Sequence, residues 1–282
     1  MIYALVTLYN PSDSVVKNAI KLTRHTDFVY LIDNSDVDNS AMFQLAKTKY
    51  VPNYCNLGLS AAFNKILKTE NFEDDDYIIF FDQDSSISDA LIPQLIQDFC
   101  TAKKYVNIGC IGPAYYETNS QKTIIPNTKK CITENIYSVN TIITSSMLTT
   151  FKNIRDINFW NENVFLDLSD FDVCWRFYKF GYKVCLSCNT QLTHTLGKKV
   201  IKFLFITLRP GIPVREYYQI RDSLKISREK YVPLKYRIRF LIMWFIMPFV
   251  YLIVAPDKVR RMCMVIRAFI DGLKGNNGVL DT

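Results

Sequence analysis

Over its first 111 residues the chain repeats one pattern four times: an apolar run, a polar break and a helix-compatible segment. Ile2–Tyr9 reads as a buried strand that ends at Asn10-Pro11 and leads into a helix over Asp13–His25. Phe28–Ile32 is a second strand, closed by Asp33-Asn34-Ser35 and followed by a helix over Ala41–Lys49 and a short strand at Tyr50–Val51. Asn56-Leu57-Gly58 opens a helix over Ser60–Leu67. The apolar strand Tyr77–Phe81 ends in Asp82-Gln83-Asp84-Ser85, before a helix over Asp89–Lys103 and a strand over Ile108–Ile111. Strands that are apolar throughout must be covered on both faces, and the alternating helices supply the cover. The pattern therefore predicts an α/β fold with a mostly parallel, Rossmann-like central sheet flanked by helices. Ligands of such sheets bind in the crevice outside the carboxyl ends of the strands. Asn10, Asp33 and Asp82–Asp84 all fall there. After Lys199 the alternation stops and helices take over, so the expected organisation is a sheet domain over 1–200 and a helical region over 201–282.

Composition narrows the chemistry. Two histidines, His25 and His194, leave no His-rich metal site and confine any Ser-His or Cys-His mechanism to those two residues. A hydrophobic share of 49% with 22% charged residues supports a large core and excludes a disordered or multi-span chain. The first residues lack a basic stretch, and their apolar run is short for a signal peptide. The eight cysteines are accordingly expected to be reduced thiols of a cytosolic protein. Cys185 and Cys188 lack the second cysteine pair that a zinc site needs.

Charge is unevenly spread. Residues 198–282 carry 17 Lys and Arg against 6 Asp and Glu, whereas residues 1–197 carry 17 against 21. Within the basic part lies the 16-residue apolar run Phe240–Ala255, flanked by Arg237, Arg239, Lys258, Arg260 and Arg261. A spanning helix needs about 20 apolar residues, and Pro248 interrupts this run. The segment is expected to lie in the headgroup layer of an anionic membrane, with a buried hairpin or dimer contact as the alternative. The basic residues alternate with aliphatic runs and no recognition motif accompanies them, which argues against nucleic acid as a partner.

Three stretches carry chemistry. Asp82 and Asp84, two apart on an extended segment, point the same way and could together face one hard cation such as Mg²⁺ or Mn²⁺. The small-residue stretch Asn56–Asn64 lets a ligand approach the backbone at a helix N-terminus, or else serves tight helix–sheet packing. In Phe165–Arg176, Asp170 sits at the mouth of a helix among apolar neighbours, where desolvation raises a carboxyl toward the pKa of a general base. Asp172 and Arg176 are spaced to pair on the helix surface. His194 follows a strand and is a candidate ligand of the same cation. Arg221, which with Tyr217-Tyr218 begins a helix of the basic region, is a candidate for a diphosphate contact, with aromatic packing beneath the apolar segment as an equal alternative.

Taken together, T-L-Y-N-P at Thr7–Pro11, D-N-S at Asp33–Ser35, N-L-G-L-S-A-A-F-N at Asn56–Asn64 and F-D-Q-D-S at Phe81–Ser85 resemble the motif series of family-2 glycosyltransferases. F-L-D-x-x-D-x-D-x-C-W-R at Phe165–Arg176, H-T-L-G at His194–Gly197 and R-E-Y-Y-x-x-R-D at Arg215–Asp222 continue it, with particular likeness to the rhamnosyltransferase-like branch. The resemblance implies a GT-A fold with a helical basic and apolar C-terminal extension, a divalent cation, and inversion at the anomeric carbon. Its substrates would be a nucleotide-sugar donor (dTDP-rhamnose, or a UDP-hexose or UDP-galactofuranose) and a lipid-linked oligosaccharide acceptor. Such an enzyme would work peripherally at the cytoplasmic face of the inner membrane in O-antigen or capsule synthesis; the alternative is a non-catalytic nucleotide-sugar-binding partner. By motif, Thr7, Tyr9 and Asp33 would hold the nucleoside, with Asp33 accepting from the pyrimidine N3–H. Asn56 and Gly58 belong to the donor loop, Asp82 and Asp84 to the metal motif, with Asp84 the more direct ligand, and Asp170 matches the catalytic base. His194 matches a position near the diphosphate or metal. Two departures stand out: Ser146 replaces the glycine of a T-S-G stretch on the acceptor side, and Asp222 replaces a frequent Asn.

Overall fold

The computed structural model describes residues 1–280 except 86, 118–121, 127–128, 195–200, 204–205 and 209–211. The amino-terminal half unfolds as β1 (Ile2–Leu8), α1 (Asp13–His25), β2 (Phe28–Asp33), β3 (Thr48–Pro52), α2 (Gly58–Thr69), β4 (Tyr77–Asp82), α3 (Leu91–Lys103) and β5 (Ile108–Glu117). There follow β6 (Lys122–Ile124), β7 (Lys130–Thr133), β8 (Ile136–Ser138), β9 (Met147–Thr150), α4 (Phe151–Asp156), α5 (Ser169–Lys179) and β10 (Lys183–His194). The chain ends in a hairpin of β11 (Ile201–Phe203) and β12 (Ile206–Leu208), then α6 (Pro213–Ile226), α7 (Leu234–Phe245), α8 (Met247–Val254) and α9 (Lys258–Lys274).

One sheet has the order β3-β2-β1-β4-β9-β5-β10-β8-β7, with β6 on β5. The first four strands pair in parallel, as do β5 and β10. Strand β9 wedges antiparallel between β4 and β5, so β5 points along β4 without touching it. The 41–49 segment differs from expectation: it forms only a 3₁₀ turn at Ser40–Met42, and Thr48 and Lys49 already belong to β3. Parallel pairing with β2 takes these residues before a helix can form, a tertiary preference overriding a local one.

Strand residues alternate between two cores. Leu5, Ile78 and Phe80 point toward α2 and α5, against Phe63, Trp160 and Phe177. Ala4, Val6, Ile79 and Phe81 point the other way, toward α1 and α3, against Leu22, Leu95 and Phe99. Helices thus cover both faces. All eight cysteines are free thiols.

The carboxyl-terminal helices pack back onto the 165–170 segment. Phe165 stacks on Tyr218 with centroids 4.2 Å apart and shares a hydrophobic cluster with Tyr217, Leu224 and Val265. The apolar run divides at Ile246 into α7 and α8, bent by 40°. Pro248 sits in the first turn of α8, where its missing N–H breaks no helical bond. Among the described residues no single helix is long and apolar enough to cross a membrane. Phe245, Ile246, Phe249 and Ile253 are exposed.

Candidate functional site

Strand order builds the site. Because β1 lies between β2 and β4, Thr7 stands beside Asp82 and Leu8 beside Asp33 in the sheet register. The three strand ends are tied together past the sheet. Gln83 Nε2 donates to the Tyr9 carbonyl at 3.0 Å, while the Tyr9 N–H donates to Gln83 Oε1 at 2.8 Å. Asn10 N donates to Ser35 Oγ at 2.7 Å. Above this rim opens a cavity of about 290 Å³. Thr7, Tyr9, Asn56, Gly58, Asp82 and Asp84 line it, together with Asn34, Gln83, Phe165 and Leu166.

Asp33 sits below this cavity and is 1% exposed. Its carboxylate accepts from Ser35 N (2.9 Å), Ser35 Oγ (2.5 Å), Asn39 Nδ2 (2.9 Å) and Tyr50 OH (2.7 Å). Two bonds on each oxygen fill its acceptor capacity, so a pyrimidine N3–H would have to displace one of them. The neighbouring Asn34 is what reaches the cavity, held by its Nδ2–H to the Gly58 carbonyl (3.1 Å) and by Asn53 Nδ2 on its Oδ1 (2.9 Å).

Gly58 has φ +78°, and a Cβ there would lie 2.6 Å from the Phe165 carbonyl oxygen. Its freedom serves protein packing: the 165–169 segment sits directly on the start of α2. Leu59 N donates to Phe165 O at 2.8 Å, Gly58 N donates to Asn56 Oδ1 at 3.0 Å, and Ser60 Oγ lies 3.2 Å from Ser169 Oγ. The N–H groups of Gly58 and Leu59, the first two of α2, are therefore satisfied inside the protein, and the small residues here serve the tight packing that was the alternative reading.

This docking places Asp170 in the first turn of α5, partly exposed. Its Oδ1 accepts from Thr144 Oγ1 and from Thr144 N (3.1 Å). Burial pushes its carboxyl up to about 7; the charges of Asp82 and Asp167 add to the rise, while the Thr144 bonds oppose it. Asp82 is pushed up to about 6 by burial and by Asp84, with Arg215 pulling it down. Asp170 thus feels the charge of Asp82, although it is not among the residues that line the cavity.

Among the described residues no group of three His, Cys, Asp or Glu converges into a metal cluster. Asp82 and Asp84 nonetheless suit a Mg²⁺ or Mn²⁺ ion that takes one or two protein carboxylates and completes its shell from a substrate. Their mutual repulsion, visible in the raised Asp82, is what a cation would relieve. His194 is the last residue of β10 rather than the start of a loop; its side chain, with Thr195–Gly197, lies outside the described residues.

Three residues depart from their expected places. Arg221 is 1% exposed and far from free. It donates to Asp222 Oδ1 (2.8 Å) and the Gly278 carbonyl (2.7 Å), with its guanidinium 4.9 Å from the Tyr218 ring centre. Asp222 in turn accepts from Phe165 N at 2.7 Å. The R-x-Y-Y-x-x-R-D stretch is thus a clamp on the 165–170 segment, and its first arginine is the one that faces the site. Arg215 bonds Asp167, which also accepts from Gln219 Nε2 at 3.0 Å, and its charge reaches Asp82. Asp172 and Arg176 do pair, at 3.9 Å, but both are buried rather than on the helix surface. Asp172 accepts from Tyr231 OH at 2.6 Å, and Arg176 donates to the carbonyls of Ile157, Asn158 and Phe159.

Ser146, where the resembling sequences have glycine, has φ +68° and is fully buried. Its N–H donates to Phe80 O at 2.7 Å, and its hydroxyl has no partner among the described residues. The glycine preference has a conformational cause, and serine meets it at a cost.

Residues 6–158 match the glycosyl transferase family 2 model. The protein belongs to that family. It is 26% identical over 98% of its length, and 97% of the relative's, to the dTDP-rhamnosyl transferase RfbF of Shigella flexneri. Among solved structures it is similar to Staphylococcus aureus TarS in complex with UDP-GlcNAc, with a TM-score of 0.59, 13% identity, and coverage of 97% of this chain and 81% of that one. GalNAc-T7 with UDP, GalNAc and Mn²⁺ aligns with a TM-score of 0.56 and 11% identity, over 92% of this chain and 58% of the GalNAc-T7 chain. The fold is GT-A, and this family-2 glycosyltransferase carries its candidate site at the rim that the fold prescribes.

Proposed function

We propose that the protein is an inverting rhamnosyltransferase that moves L-rhamnose from dTDP-rhamnose to a hydroxyl of a lipid-linked glycan in bacterial surface-polysaccharide synthesis. The observation that carries this reading is Asp170, held by Thr144 in the first turn of α5 and within reach of the charge of Asp82 at the strand-end rim. The 26% identity to a dTDP-rhamnosyl transferase over nearly the whole chain supports the donor.

In the proposed step Asp170 accepts the proton of the acceptor hydroxyl while that oxygen forms its bond to the sugar C1. The bond from C1 to the diphosphate oxygen breaks, and the nucleoside diphosphate leaves with the electron pair. One base on the face opposite the leaving group suffices, so the product is inverted. Asp84 and Asp82, with His194, would hold Mg²⁺ or Mn²⁺, which when bound supplies positive charge where the diphosphate develops negative charge. Arg215 adds a fixed cation on the same side. Thr7, Tyr9, Asn34 and Asn56 line the space for the nucleoside.

The exposed apolar face of α7 and α8, flanked by the exposed Arg239, Lys258 and Arg260, suits the headgroup layer at the cytoplasmic face of the inner membrane. Arg261 takes no part in that contact, because it is buried against Glu216.

The test is a panel of dTDP-rhamnose, UDP-hexoses and UDP-galactofuranose with Mg²⁺, read as a rise in unfolding temperature and then as donor hydrolysis. Protection and turnover greatest with dTDP-rhamnose support the reading. Preference for a UDP-sugar moves the assignment to that donor, and protection without turnover points to a non-catalytic binder. Flotation with anionic but not neutral vesicles, lost in Phe245→Ser/Phe249→Ser, supports the membrane contact; flotation unaffected by that variant removes it.

A further inference from the structure

A second cavity, about 570 Å³, lies away from the donor cleft, between the far end of α5 and the 230–233 turn with the first residues of α7. Its walls are aromatic and its rim is cationic. Phe171, Trp175, Tyr178 and Lys179 follow one another at i, i+4, i+7 and i+8, so they form one stripe along α5. Tyr231 and Tyr236 face the stripe. Trp175 and Tyr236 rings lie 4.7 Å apart, and Phe171 and Tyr236 rings 5.5 Å. The Tyr231 hydroxyl is fixed on buried Asp172, and the Tyr178 hydroxyl on the Val139 carbonyl at 2.5 Å. These rings are thus held in place before any ligand arrives. Lys179 lies 5.3 Å from the Tyr231 ring centre. Exposed Lys230 and Lys235 complete the rim and form no ion pair among the described residues.

The stripe begins beside the site, about 100° around α5 from Asp170. It starts at Phe171, the residue after Asp170, and Lys179 lies about 12 Å further along the helix axis. The second connection is the 139–146 segment: Asn140 lines the cavity, and Thr144 bonds Asp170.

We infer that this groove is a glycan subsite that holds the acceptor chain several sugars behind the hydroxyl presented to Asp170. A sugar ring has an apolar C–H face and a polar edge. Preformed aromatic walls match the first through dispersion, and ammonium groups donate hydrogen bonds to the second. The inference rests on the transferase reading and extends it, assigning recognition of the acceptor to a place apart from the donor cleft.

An array of bacterial surface oligosaccharides, with their component monosaccharides, tests it on the full chain. The wild-type protein retains oligosaccharides of three or more sugars over the matching monosaccharides. Lys230→Ala/Lys235→Ala lowers that retention about tenfold, and Tyr236→Ser does the same, whereas Asp84→Asn keeps it. The inference is overturned if the wild-type protein retains no oligosaccharide, if the double lysine variant binds as the wild type does, or if Asp84→Asn is the variant that loses binding. It is likewise overturned if the lysine variant loses vesicle flotation but keeps the glycans, which would make the groove a lipid-headgroup site. The rise in unfolding temperature with dTDP-rhamnose, measured on the same samples, reports the donor reading separately.

Discussion

The strand-end rim and the α6–α9 block both contain buried or half-buried charges, and they use them in opposite ways. In the block, charges are neutralised by partners: Arg221 lies against Asp222 and Arg261 against Glu216, each 6% exposed or less. At the rim, Asp82, Asp84 and Asp170 gather with Arg215 as the nearby cation, and Arg215 is itself engaged with Asp167. Paired charges hold a structure together, while unpaired ones of like sign wait for a ligand. The same residue types therefore do different work according to what stands beside them.

The sharpest break in this contrast is Asp170→Asn. It is expected to cut turnover about 1,000-fold, within the range for loss of a general base, while donor protection against unfolding persists. The folded carboxyl is raised to about 7 from 3.8, so its stability contribution is present at low pH and lost as pH rises through 7. The Asn variant should then unfold at a higher temperature than wild type at pH 8, and equal or lower stability there would deny the strain at this residue. Arg221→Ala is the counterpart in the helical block. Asp222 would keep Lys225 at 3.1 Å but lose its buried guanidinium partner, so the variant should be less stable in denaturant unfolding, with donor affinity unchanged in the folded protein. Loss of donor affinity without loss of stability would return Arg221 to the diphosphate.

Smaller effects sharpen the picture. Activity should rise with pH through about 7 as Asp170 ionises. Thr144→Ala removes a hydrogen bond that favours the charged form, so the midpoint should move upward; an unmoved pH profile would detach Thr144 from the base. Ser146→Gly relieves a left-handed residue and removes an unpartnered buried hydroxyl. A stabilisation of about 1 kcal/mol is expected, seen as a rise of about 2 °C in thermal unfolding.

The legibility of each region in the sequence divides along the same line. The rim could be read because parallel strands of continuous apolar residues bring their carboxyl ends to one edge, and Thr7, Tyr9, Asp82 and Asp84 stand at those ends. The α1 helix, Asp13–His25, was legible to its ends because its buried residues keep a helical period. The 41–49 segment was not, since pairing with β2 decided it. For Arg221 and Asp33 the sequence could not show what already holds each charge. Sequence shows a charge but not its partners, and here Asp222 and the Ser35–Asn39–Tyr50 set had already taken them. Arg215, six residues earlier in the same motif, carried no mark to set it apart. Gly58 was legible as a close approach, though its close neighbour is Phe165.

The central claim, that the rim carboxylates hold the donor diphosphate through a hard cation, is tested most directly by calorimetric titration of dTDP-rhamnose into wild-type protein and Asp84→Asn, each with Mg²⁺ and with a chelator. Binding to wild type should weaken at least tenfold when Mg²⁺ is removed, and the variant should bind weakly in both conditions. Equal affinity in all four titrations would contradict the account.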